Sequence, residues 1–112
     1  MGARVRHVPG NTVTGRFSSG RLARAVGSQL VLAVGAGTGL AIDRLEELGI
    51  ALDMVLAPAD GAAVLSLTPA EGGLTVAAEP VEANWVERNR QLLCSLVDGV
   101  EITTGGVELR AG

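Results

Sequence analysis

Apolar and polar positions along the chain follow two periods. Alternation with a period of two predicts a strand at Thr12–Phe17, where Val13 stands between two threonines, and the turn residues Pro58, Asp60, Gly61 and Glu71-Gly72-Gly73 set off further strands at 63–68 and 74–78. Another short strand is expected over Arg4–Val8, closed by the turn residues Pro9-Gly10-Asn11. Near the C-terminus two alternating runs flank Gly105-Gly106, a hairpin in which Val100 and Ile102 face one side, as do Val107 and Leu109. Helical periodicity follows Ser18-Ser19, where Leu22 and Val26 share a face and Gly27 marks an end. A longer helix is expected from Pro80, as a first-turn proline, to about Val97.

The stretch Leu30–Leu56 organises the rest. Leu30–Val34 is apolar without alternation, the pattern of a strand buried on both faces. The glycines of 35–39 follow, with Thr38 placed to cap a helix. In that helix Ala41, Ile42, Leu45 and Leu48 oppose Asp43, Glu46 and Glu47. Gly49 suits the left-handed position after the last turn, and Ile50–Leu56 reads as the returning strand. These elements predict one α+β domain spanning 1–112, with residues 1–11 as a basic N-terminal arm. Its architecture is a two-layer sandwich of two or three helices on a mixed sheet, centred on a right-handed β-α-β unit.

Composition narrows the chemistry. Nearly half of the 112 residues are apolar, mean hydropathy is +0.37, and there is one Phe, one Trp and no Tyr. The core is therefore aliphatic, and few side chains can stack on bases. One cysteine, Cys94, and one histidine, His7, supply neither a disulfide nor a multi-Cys metal set. No run reaches the roughly 18 apolar residues of a membrane span, and a cytoplasmic protein is expected. All nine basic residues are Arg. Residues 1–42 carry five of them and no acid, whereas 43–112 carry four Arg and all twelve acids, giving +5 against −8. This split suggests a partner of opposite sign for one end.

The run Val31–Leu40, with Gly35, Gly37 and Gly39, resembles the first motif of class I S-adenosylmethionine-dependent methyltransferases over about ten residues. That resemblance implies a cofactor approached closely by glycine backbone. The chain departs from the family at Ala33, where an acid is usual, at Ala57-Pro58, where the next strand should end in an acid, and in its length. Glu47–Met54 resembles a segment of ACT-type regulatory domains, which implies a ferredoxin-like fold and small metabolites bound between paired domains.

Candidate ligand-binding residues are thus Gly35, Gly37, Thr38 and Gly39. Candidate interface residues are Arg4, Arg6, Arg16, Arg21, Arg24, the aromatic Trp85, and Asn89, an amide on the apolar arc of the long helix that needs a partner. No spacing supports a catalytic set, a cofactor or a metal. The expected function is a non-catalytic assembly or interaction module, acting as a homo-oligomer or as a subunit of a larger complex. Head-to-tail contacts between basic and acidic ends are the expected geometry. Two alternatives follow from the same residues: a small-molecule-sensing domain with its ligand at 35–39 or a dimer interface, and nucleic-acid contact through the Arg-rich N-terminal part.

Overall fold

The computed structural model describes residues 12–112. Over these residues the order is β1 (Val13–Phe17), α1 (Gly20–Gly35), α2 (Ile42–Leu56), β2 (Ala63–Ala70), β3 (Gly73–Glu79), α3 (Ala83–Arg88), α4 (Arg90–Leu96), β4 (Gly99–Thr103) and β5 (Gly106–Ala111). This is an α+β fold, with four helices and one open antiparallel sheet in the order β1-β2-β3-β5-β4. The strand expected over Arg4–Val8 lies outside the described residues.

The strands β2 to β5 form within two residues of their expected spans, and β1 within one. In β2 the residues Ala63, Leu65 and Leu67 are buried, in β3 Leu74, Val76 and Ala78, and in β5 Val107, Leu109 and Ala111. Leu67, Val76 and Leu109 stand in one cross-strand row. A slip of one residue would turn this whole set outward, so the alternation itself fixes the register. Gly72 and Gly105 close the two hairpins at φ +74° and +76°, a conformation that costs glycine least. The second turn sits one residue earlier than expected. Thr103 pairs with Gly106 across Thr104-Gly105, and a Cβ on Gly106 would stand 2.6 Å from the Ala78 carbonyl oxygen.

The central β-α-β unit is replaced by a helical hairpin. Leu30–Val34 forms the last part of α1, and Ile50–Leu56 the second half of α2. Ser19 caps α1 as expected, accepting from the Leu22 N–H at 3.1 Å. Gly27, however, does not end it. The buried face of α1 is Gly20, Ala23, Gly27, Val31 and Gly35, a helical spacing in which three of five positions are glycine. Hydropathy cannot register such a face. Gly27 lies against Leu52, Gly35 against Leu45, and Gly49 of α2 against Ser28, so these glycines set the approach of two helices. The residues of the two misassigned runs are also mainly Leu, Ala and Met, which favour helix over strand.

The helices α1 and α2 join β1 to β2, which are hydrogen-bonded antiparallel neighbours. The sheet is accordingly antiparallel throughout and not mixed, and the described topology does not reproduce a ferredoxin-like split β-α-β. The expected long helix is divided into α3 and α4 at Asn89, and Pro80 precedes the first turn of α3 instead of lying in it. The helix α1 packs on β2 and β1, α2 on β5 and β3, and α4 on β4 and α2. Leu48, Leu52, Leu65, Val76, Leu93 and Leu109 are almost wholly buried between them. Each such side chain contributes about 1.5–3 kcal/mol by leaving water.

Candidate interaction surface

The connection between α1 and α2 contains the glycines singled out in the sequence. Gly35 is the last residue of α1, and a Cβ there would collide with the Leu45 side chain. Gly39 adopts φ +90°, whereas a Cβ on Gly37 would meet nothing within 4 Å. The Thr38 hydroxyl donates to the Gly35 carbonyl at 2.7 Å and accepts from the Leu40 N–H at 3.2 Å. It does not cap α2, whose N-cap is Ala41. The Thr38 carbonyl in turn accepts from the Gly72 N–H at 2.6 Å, which docks this connection on the β2–β3 turn. Thr38 is thus committed to holding its own turn. Two open surface depressions among the described residues, of about 360 and 330 Å³, both lie elsewhere.

The interface candidates are not gathered in one place. Arg4 and Arg6 lie outside the described residues. Arg24 pairs with Asp53 of α2 at 3.0 Å, and these two residues, with Arg21 and Ala25, line the smaller depression. The hydrogen bond to Asp53 and its charge raise the Arg24 pKa. Arg16 stands apart, on β1 opposite Val64. Trp85 is half-buried, and its indole N–H donates to the Met54 carbonyl at 2.8 Å, tying α3 to α2. The Asn89 amide finds its partner one turn back in its own helix, donating to the Trp85 carbonyl at 2.8 Å. A side chain that competes for that carbonyl loosens the helical ladder, and the helix is interrupted there, with Asn89 at φ −105° and ψ 9°.

A further set of residues appears only once the strands are paired. Alternate strand residues face away from the buried rows. Thr14, Ser66, Ala77, Glu108 and Glu101 form one row across all five strands. Thr68, Thr75, Arg110 and Gly99 form the next. The middle of this outer face is small and uncharged. Glu101 and Glu108 are direct cross-strand partners, an arrangement that places like charges side by side. Together with Arg110, Thr75, Gly99 and Val100 they line the larger depression. The Arg110 guanidinium lies over Gly99, 2.9 Å from where a Cβ would stand. Ion pairs of the described residues join Arg24–Asp53, Arg44–Glu47, Arg44–Asp98 and Arg90–Glu87, and none involves Arg16, Glu101, Glu108 or Arg110. Alternation within the strands carried this signal, but only the pairing order shows which charges share a row.

At one end of the domain Asp98 accepts from the Gly112 N–H at 2.7 Å and pairs with Arg44 of α2. The Gly112 hydrogen bond first, and Arg44 second, hold the Asp98 carboxyl below its ordinary pKa. Cys94 is exposed and free. Among the described residues no cluster of three His, Cys, Asp or Glu side chains is placed to hold a metal, and no helix is long and apolar enough to cross a membrane. Compared with known proteins, the chain matches no family model and no curated sequence.

Proposed function

We propose that this chain is a homo-oligomeric assembly module that docks through the outer face of its sheet. The reading takes the domain as a two-layer sandwich, with all helices on one side of the sheet. One observation carries it: the outer face is uncharged at its centre, over Ser66, Ala77, Thr68 and Thr75, and bears opposite charges at its two edges. Small side chains let two sheets approach to about 10 Å. Charge of opposite sign at the two edges makes the face complementary to a copy of itself.

The face measures roughly five strands by five residues, about 24 × 17 Å. Stacking two of them would bury on the order of 800–1,000 Å² in total, near the lower limit for specific association. A dimer in the micromolar range is expected. Sedimentation equilibrium from about 1 μM to 1 mM tests this directly. A monomer throughout that range, with no co-purifying chain, refutes the assembly reading.

A further inference from the structure

We infer that the two copies are related by a two-fold axis running parallel to the strands near the middle of the sheet, with Arg16 of each copy answering the Glu101–Glu108 pair of the other. This inference rests on the assembly reading above and adds the orientation and the residues that select it. Sheets that stack with their strands aligned leave two directions for a two-fold axis, one along the strands and one across them. An axis across the strands places β1 on β1 and β4 on β4. Set on the central row of Ala77, that axis brings the Glu101–Glu108 pair of one copy onto the same pair of the other, with like charge costing several kcal/mol at a docked interface. An axis parallel to the strands places β1 of one copy over β4 of the other, because these are the two edges of the sheet.

Charge then matches. Arg16 is one row from the row that holds Glu101 and Glu108, a displacement of about 7 Å along the strand that an Arg side chain can span. Arg110 offsets one of the two carboxylates from the neighbouring row, which leaves one negative charge at this edge for the incoming Arg16. The residues nearest the axis, Ala77 and Thr75, are small enough for the same side chain to meet its own copy. Glu79 ends the Arg16–Val64 row at the exposed rim, where solvent screens it. The product is a closed pair, in place of the open head-to-tail chain that the charge split along the sequence suggests.

Within one protomer Arg16 and Glu101 stand at opposite sheet edges, about 19 Å apart, well beyond the Debye length at physiological salt. Coupling between them can therefore arise only across an interface, and charge exchange tests it. Dimerisation of the full chain would be measured by sedimentation at low and moderate salt, with thermal melts confirming that each variant folds. Arg16→Glu and Glu101→Arg are each expected to weaken association tenfold or more. The double variant is expected to recover most of the loss. Ala77→Glu, and Ser66→Arg as a second central variant, are expected to abolish the dimer.

If the central variants abolish association but neither edge variant affects it, the axis inference is overturned and docking through the sheet face stands. If edge variants weaken it without recovery in the double variant, the Arg16–Glu101 match is likewise overturned. A dimer indifferent to all of these substitutions uses another surface, which refutes the sheet-face reading and the inference together.

Discussion

The helical hairpin and the strand hairpins use the same residue type for opposite purposes. In the β2–β3 and β4–β5 turns, glycine is present because the backbone turns left-handed at Gly72 and Gly105. In α1 and α2, Gly27, Gly35 and Gly49 have ordinary helical backbones and are present because another helix passes close by. The first use is conformational and the second is spatial. The first leaves a local signature in the sequence, with alternating residues on either side. The second leaves none, because the partner that demands the missing side chain lies on the other helix, ten to twenty-five residues away.

The largest expected effect separates these uses at the site where both helices meet the sheet. Leu52 fills the space over Gly27 and is almost wholly buried. Leu52→Ala should destabilise the domain by about 2–5 kcal/mol in urea denaturation. Adding Gly27→Ala should recover part of that loss, because the new methyl group enters the vacated space and improves helix propensity. Strictly additive losses would show that Gly27 serves some purpose other than making room for Leu52.

Gly20→Ala ranks next. A Cβ there would collide with the Ala59 carbonyl, which is backbone and cannot rotate away as a side-chain end can. Destabilisation of about 1–3 kcal/mol is expected from such overpacking. An unchanged melting temperature would mean that the segment after α2 yields freely.

How much of this was legible follows from the same contrast. Leu65, Leu67, Val76 and Leu109 alternate with Ser66, Ala77 and Glu108, and each strand could be read from its own few residues. The run Leu30–Val34 could not, because a buried strand and one segment of a buried helix look alike over five residues. What distinguishes them is the buried row Gly20-Ala23-Gly27-Val31-Gly35, which a hydropathy count scores as nearly empty. Reading Gly27 and Gly49 as punctuation then divided two helices into four pieces. The outer-face candidates failed to show for a different reason. Arg16, Glu101 and Glu108 are visible as charges, but the placement of Arg16 at one edge of the face and of Glu101, beside Glu108, at the other requires the order β1-β2-β3-β5-β4. Of the earlier interface candidates, Arg16 joins this face, whereas Arg24 is occupied by Asp53 and Trp85 by the Met54 carbonyl.

A pair of smaller substitutions should change sign between the two regions. Gly72→Ala places a side chain at φ +74° and should cost about 1 kcal/mol, although nothing crowds the site. Gly49→Ala puts a methyl group 3.4 Å from the Ser28 side chain, an ordinary contact, within a helix. The gain in helix propensity should stabilise the domain by about 0.5–1 kcal/mol, or roughly 2–5 °C in Tm. Matched thermal melts decide this. If both variants lose stability equally, the distinction between turn glycines and packing glycines fails at these positions.

The smallest effect concerns Asp98, a charged tie between α2 and the end of the sheet, through Arg44 and the Gly112 N–H. Both partners favour the carboxylate, so the folded chain holds Asp98 below the ordinary value of about 3.9. Its contribution to stability is fully present above that value and is lost as pH falls through the lower, folded-state pKa, because the unfolded chain binds the proton first. Both side chains are substantially exposed, which keeps the contribution modest. Urea midpoints of the parent chain and Asp98→Asn, compared from pH 7 to pH 2.5, should differ at neutral pH and converge on acidification. A difference that persists unchanged at pH 2.5 would assign the effect to the geometry of the side chain and not to its charge. Because Arg44 belongs to the helical hairpin and Gly112 follows the last strand, loss of the tie should also loosen the two regions from each other. Faster amide exchange at Gly112, with unchanged exchange at Val76, would locate that loosening at the join and leave the sheet interior intact.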